Sequence, residues 1–347
     1  MADYLKVITP HLHPDLISPE AMSRLQELAQ TLPPFADAML EFRLGAGQSH
    51  VDLSVFFPKR IPNLPEKFLT HPAWQAVQDF CQEWIDQASF LYEGVTNVGL
   101  EFDLDQPLSE IPIPCIFVSW DKKAVSDAQV LREIVPRLLN DRLSSQLKLN
   151  LQRCVDALPE GSRIGFLGIM LSRSTQAVRL IMENIPLQKL PDYLRQIGWS
   201  ESTDNFSTFV SAFSEFKETI RLFSFDVSDI IYPRIGIEFY PKKQPKSEPQ
   251  WQLFLDYLIE MELCTPDKKQ ALLAWHGFST KADEPELWPK DLLGGDLFLS
   301  SKAVSAFWRT LNHIKIVYEP GSSLEAKGYL LSMHDWWIPA AETLSNK

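Results

Sequence analysis

One short phrase recurs along the chain. Leu40-Glu41-Phe42, Leu100-Glu101-Phe102-Asp103 and Ile237-Glu238-Phe239-Tyr240 each set a carboxylate between apolar residues, with apolar and polar positions alternating around it. Period-two alternation marks a strand with one apolar and one polar face. Most of these stretches have a second alternating run close by, beyond a turn. The pattern predicts about five hairpins, separated by roughly 60 to 80 residues of largely helical periodicity.

In chain order, Ser18-Pro19-Glu20 is a helix start, with a side-chain cap and a proline at the first position. Hairpin one joins residues 39–44 to 51–57 through Gly45-Ala46-Gly47-Gln48. An amphipathic helix is expected over residues 71–91. Hairpin two pairs residues 98–104 with 113–120, and the prolines at 112 and 114 suit a strand start. Residues 126–158 read as helix, kinked or split at Pro136. Hairpin three joins residues 163–171 to 177–184 about a polar turn, Ser172 to Gln176. Hairpin four joins 219–227 to 234–240. Helices follow over 249–263 and 265–277, then a long loop from Phe278 to Ser300 (a candidate lid) and a helix over 302–311. Hairpin five joins 312–318 to 324–333 at Pro320-Gly321-Ser322. No flexible Gly/Ser linker interrupts the chain, so residues 1–347 are expected to form a single domain.

With 45% hydrophobic and 22% charged residues, a core of this size is affordable. A net charge of -12 argues against non-specific nucleic-acid binding, which needs a basic surface. Cys81, Cys115, Cys154 and Cys264 form no C-x-x-C pair, and reduced, packed thiols in a cytoplasmic protein are expected. Neither an export signal nor an 18-residue apolar run is present, so no membrane partner is expected. No G-x-S-x-G, Walker loop or strand-borne G-x-G-x-x-G occurs. His11-Leu-His13 is expected to be incidental, Trp275-His276-Gly277 a helix C-cap, Trp336-Trp337 a plug at a barrel end, and the pairs Lys122-Lys123, Lys242-Lys243 and Lys268-Lys269 solvated.

Five hairpins give about ten strands, whose apolar faces must be buried on helices. The other faces are too polar for a packed core. Closing the sheet resolves this, with helices outside and a wide polar lumen inside, and it leaves no edge strands. The expected fold is therefore α+β, an antiparallel ten-stranded barrel of repeated hairpins surrounded by helices. A TIM barrel needs single strands alternating with single helices, whereas the turns here join strand to strand. On the barrel reading, the inward side chains are Glu41, Arg43, His50, Asp52, Glu101, Asp103, Arg179, Glu183, Arg221, Arg234, Glu238, Tyr240, His313, Lys315, Lys327 and Tyr329.

Hairpins repeated between helices, with phrases such as Ile235-Gly-Ile-Glu-Phe-Tyr240 and His313-Ile-Lys-Ile-Val-Tyr318, resemble the aromatic prenyltransferases of the ABBA or PT-barrel type, nearest to their peptide-modifying members. The resemblance implies a biosynthetic transferase that moves an allylic group from a diphosphate to a peptide side chain or an aromatic metabolite. It casts Glu41, on the first strand, as the base. Arg221, Arg234, Lys315, Lys327, Tyr240 and Tyr329 become the diphosphate cradle, and Lys327-Gly-Tyr329 resembles the family's K-x-Y strand. Phe56, Phe117, Phe223 and Phe225 become an aromatic wall for the allylic cation, though as strand phenylalanines they also suit the core.

The sequence departs from the family where early strands usually carry bases. Asp52, Glu101, Asp103 and Glu183 stand there instead, and with Glu238 they would line the acceptor or a metal. Carboxylates repel a diphosphate in a partly desolvated cavity unless Mg²⁺ bridges the two. Two alternatives follow: a PT-barrel protein without prenyl transfer, binding or modifying a cationic or peptidic ligand through an acidic lumen, or a scaffold whose barrel is filled by side chains.

Overall fold

The computed structural model describes residues 1–60, 62–139, 143–173, 177–299 and 303–337. Eleven strands appear among them: β1 Asp37–Arg43, β2 Val51–Phe57, β3 Val95–Phe102, β4 Cys115–Trp120, β5 Arg163–Ile169, β6 Val178–Glu183, β7 Ile220–Val227, β8 Ile231–Phe239, β9 Gly277–Thr280, β10 Val304–Tyr318 and β11 Glu325–Trp337. Successive strands pair antiparallel from β1 to β8, β8 pairs with β10, β10 with β11, and β11 with β1. Ten strands thus form a closed antiparallel barrel. β9 lies outside the ring, paired with the early half of β10. The hairpin turns gather at one end, and the helical connections cross over at the other.

Alternation explains why the strands close around a lumen. On β1, Leu40 and Phe42 are buried against the helices while Glu41 and Arg43 turn inward to line the cavity. The outer layer includes helices Pro19–Thr31, Pro72–Ile85, Asp127–Leu138, Ser145–Asp156 and Gln250–Glu260. Ser18, Ser126 and Ser144 cap three of them by accepting backbone N–H groups, as expected of hydroxyls at that position. Trp74, Trp84 and Trp251 are fully buried between helix and sheet. Each indole N–H donates to a backbone carbonyl, of Pro112, Val95 and Lys243 respectively, so the large rings are buried without an unsatisfied donor. The four cysteines are free and buried. No described helix is long and apolar enough to cross a membrane.

Several local expectations are corrected. Residues 303–311 do not form the expected helix: β10 starts at Val304, and Ser305, Phe307, Arg309 and Leu311 are buried at period two. Residues 278–299 are ordered as β9, a turn of 3-10 helix and helix Leu293–Leu299, with Trp288 and Leu292 as buried anchors. Pro136 sits inside helix Asp127–Leu138, and the chain breaks after it rather than at it. Gly277 opens β9 instead of capping a helix. Trp336 packs edge-on against His334 and Trp337 is exposed, so neither plugs the barrel. Of the turn expected at Ser172 to Gln176, residues 174–176 lie outside the described residues, as do residues 300–302 at the end of the expected loop and the start of the expected helix.

The lysine pairs are not all solvated. Lys268 is buried, and its ammonium donates to the carbonyls of Arg43 and Gly45 at 2.8 Å and to that of Gln48. It fastens the β1–β2 turn to helix Pro266–Ala274. Lys269, also buried, pairs with Asp256. Lys122 donates to the Gly165 carbonyl and lies over the Trp120 ring. Lys268→Met keeps the apolar stem but strips three carbonyls of their donor. It should cost about 3 kcal/mol in denaturant unfolding, since each orphaned buried acceptor is worth roughly 1–3 kcal/mol.

Candidate functional site

The strands enclose a cavity of about 630 Å³. Two glycines shape its wall. A Cβ on Gly99 of β3 would come within 2.8 Å of the Phe56 ring, and one on Gly168 of β5 within 2.6 Å of Phe117. Both rings therefore lie flat across a neighbouring strand and leave the lumen open. Phe166 of β5 completes an aromatic side centred on β4. Across the ring, β8, β10, β11 and β1 carry the charged side.

Glu41 sits at the centre of that side. Register places it directly opposite Tyr329 of β11, with Arg43 opposite Lys327. Its Oε1 accepts from Lys327 Nζ at 2.7 Å and from Arg43 Nη1 at 2.8 Å, and its Oε2 accepts the Tyr329 hydroxyl. Burial alone would raise the Glu41 pKa, but Lys327 and Arg43 outweigh it and hold the carboxyl well below its ordinary range. Arg43 reaches further, to Asp52 Oδ2 at 2.8 Å and to Glu325 Oε1 at 3.2 Å. Glu325 also binds Arg234, at 2.8 Å.

A second, parallel unit stands beside the first. Glu238 accepts from Lys315 at 3.2 Å and from the Tyr240 hydroxyl at 3.2 Å. His313 joins the two units, its ring stacked on Tyr329 at 3.9 Å and on Tyr240 at 4.6 Å. Burial keeps His313 neutral by lowering its pKa to about 4. Both phenols donate to carboxylates and are pushed well above their usual range by burial and by those charges.

On the β3–β7 side, Asp226 forms a two-pronged pair with Arg179 at 2.7 and 3.0 Å. Arg173 lies 3.9 Å from Asp103. Glu101 is different: it lines the cavity with no hydrogen bond or ion pair among the described residues. Burial, and then the Glu41 charge, raise its pKa to about 7. The same two causes raise Asp52 to about 6, although Arg43 and the Leu104 N–H both hold its carboxylate.

Of the residues expected in the site, Glu41, Asp52, Glu101, Asp103, Arg234, Glu238, Tyr240, Lys315, Lys327 and Tyr329 all line this one cavity. Arg221 does not. It is the extra residue of a bulge between Ile220 and Leu222, and it projects into solvent; Leu222, Ser224 and Asp226 face inward in its place. Phe223 consequently faces the helices, and Phe225, though it touches the lumen, packs its ring on Tyr193. Glu183 is outside the cavity lining and pairs with Arg163 at 2.7 Å. His50 is exposed in the β1–β2 turn. Three contributors were missed. Glu325 and Asp226 extend visible alternations, Glu325-x-Lys327-x-Tyr329 and Ser224-x-Asp226. Phe166 follows a bulge after Ile164 that reverses the strand's parity, a shift with no sequence signal. His313 was placed inward, but its stacking role was not foreseen.

Four of the lining carboxylates are not free for Mg²⁺. Glu41, Asp52, Asp226 and Glu238 are each committed to an arginine or lysine. Among the described residues, no three His, Cys, Asp or Glu side chains are grouped to hold a metal ion. A resident divalent ion would have to displace these cations.

Neither family models nor curated proteins match the sequence. Solved structures do. The chain superposes on the prenyltransferase PriB with a TM-score of 0.52 at 11% identity, covering 95% of this chain and 94% of that one. PriB in ternary complex with L-tryptophan and dimethylallyl thiolodiphosphate matches with the same score and coverage at 12% identity. AnaPT from Neosartorya fischeri also gives 0.52, at 11% identity over 94% of this chain and 90% of that one. With full-length coverage and the same ten-stranded closed barrel, the chain has the fold of the ABBA or PT-barrel aromatic prenyltransferases.

Proposed function

We propose that this barrel is an allylic-group transferase acting on an allylic diphosphate and a nucleophilic acceptor. The observation that carries the reading is Glu41, a carboxylate held between Lys327 and Tyr329 in a lumen whose far side is aromatic. Lys315, Lys327, Arg43 and Arg234, with Tyr240 and Tyr329, supply cations and hydroxyls from four adjacent strands to a departing diphosphate. In the step proposed, the allylic C1–O bond breaks and the diphosphate leaves with the electron pair. Phe56, Phe117 and Phe166 face the allylic cation. The acceptor's electron pair forms the new bond, and its proton passes to Glu41. A strongly depressed carboxyl is a weak base, but an acceptor carrying a full positive charge after alkylation is a strong acid, so the transfer runs downhill. PriB, solved with L-tryptophan, favours an aromatic acceptor.

The second reading, a cationic or peptidic ligand held without prenyl transfer, rests on charge. Eight carboxylates and six arginines or lysines line the lumen, and Arg179, whose charge acts on Glu101, is already paired with Asp226.

Two measurements bear on these readings. Glu41→Gln should lower turnover at least 10²-fold, the scale of one positioned proton acceptor, while binding of a dimethylallyl thiolodiphosphate is equal or tighter because Lys327 and Arg43 are released. Unchanged turnover would remove Glu41 from the mechanism. The pH dependence separates the two ligand classes. Glu101 is neutral below about pH 7 and charged above it. Thiolodiphosphate affinity should therefore fall as pH rises from 6 to 8, and Glu101→Gln should flatten the profile. Affinity for a guanidinium or ammonium ligand would rise over the same range.

A further inference from the structure

β10 and β11 run past the rim of the barrel at the end where the helical connections cross, and β9 widens them into a three-stranded lip. The two faces of this lip differ. On the outer face, Phe307 packs edge-on against Tyr4 at 5.2 Å and Trp288 at 5.4 Å, and Arg309 donates to Ser279 at 2.8 Å. That face is covered and fastened. On the inner face, register sets Met333, Trp308 and Phe278 side by side on adjacent strands. Phe278 is 54% exposed and lies 5.2 Å from Trp308, and Trp337, 48% exposed, stands edge-on to Trp308 at 6.3 Å. A sheet face turned to solvent is normally polar, and here Trp308, Phe278 and Trp337 share the face with Asp335 and with Thr280, which stands opposite Ala306.

This face continues the lumen. Directly opposite residues in an antiparallel pair share a side, and Met333 lines the cavity, as do Leu331 and Met39 below it. A track of Met39, Leu331 and Met333, flanked by Asp37 opposite Met333, therefore climbs from the Glu41–Tyr329 layer to the exposed aromatic lip. From Tyr329 to Met333 the strand rises about 13 Å, or about 10 Å along the axis of a barrel tilted near 40°. An isoprene unit adds four chain bonds, roughly 5 Å at C–C lengths of about 1.5 Å. A one-unit donor with its reacting carbon beside Glu41 would end near Leu331. A second unit reaches Met333 with Trp308 and Phe278 beside it in register, and a third extends past them along the lip.

We infer that the donor is a longer isoprenoid, of two or three units, whose tail leaves the lumen along the β9–β11 lip. The inference rests on the proposed transferase reading and extends it to the chain length of the donor. Continuity with the cavity favours this occupant over a second copy of the chain.

The test is calorimetric titration of the full-length protein with dimethylallyl, geranyl and farnesyl thiolodiphosphates, repeated on Trp308→Ala and Phe278→Ala. Affinity should rise about tenfold or more with each unit added, given the apolar surface each unit buries. The substitutions should weaken farnesyl binding at least tenfold while dimethylallyl binding changes less than twofold, which also shows that the variants are folded. Equal affinity for all three donors would overturn the inference and leave the transferase reading standing. Binding of none would sink both. A dimer in sedimentation that Trp308→Ala dissociates, with farnesyl affinity unchanged, would assign the lip to self-association and overturn the inference.

Discussion

The pairing of the first barrel strand with the last holds the rest in place. All seven residues of β1 are in register with β11 on one side, and six of them with β2 on the other. Without that seam the sheet would have two free edges, and its inward carboxylates and ammonium groups would face bulk water. With it, Glu41 and Tyr329 become cross-strand neighbours although 288 residues separate them. A hydrogen bond across such a span is inexpensive only because the ladder on either side has already fixed both backbones.

Closure also explains why so much charge is tolerated. A buried ion pair roughly breaks even against its desolvation unless further hydrogen bonds complete it. Here they do: Glu41 has three donors, Asp226 meets Arg179 in two prongs, and Glu238 accepts from both Lys315 and the Tyr240 hydroxyl. The lumen is thus a set of nearly neutral units rather than a bare cationic cradle. An incoming diphosphate would exchange partners with these carboxylates, and acids near neutrality, Asp52 and Glu101, would take up protons as it enters. An acidic lining and a diphosphate site are compatible on these terms.

The arrangement has two ends of different character. Arg43, Asp103, Arg173, Arg234 and Glu325 crowd the hairpin end, where short turns bring polar strand ends together. Met39, Leu331 and Met333, with Asp37 and Asn97 beside them, lie toward the end where the helices cross.

Hairpin recurrence was legible because alternation survives in the bare sequence: Leu40 and Phe42 against Glu41, Ile237 and Phe239 against Glu238. Periodicity alone was enough to predict a closed barrel and to nominate thirteen of the lumen residues. It went wrong wherever a bulge inserted a residue. Arg221 was sent outward, Phe166 was brought inward, and the early half of β10, with its own alternation intact, was mistaken for helix. Bulges cost a single unpaired residue and leave no compositional mark, so parity beyond them is decided by the pairing partner. The same limit holds for the site. The residue types were present in the chain, but which carboxylate kept its charge, which cation neutralised it and which aromatic face stayed open depended on register between strands far apart in sequence. Sequence determines the two faces of each strand through side-chain chemistry and the period of two. Tertiary structure alone decides which faces meet, because that contact is set by the seam, the shear and the bulges of the closed sheet.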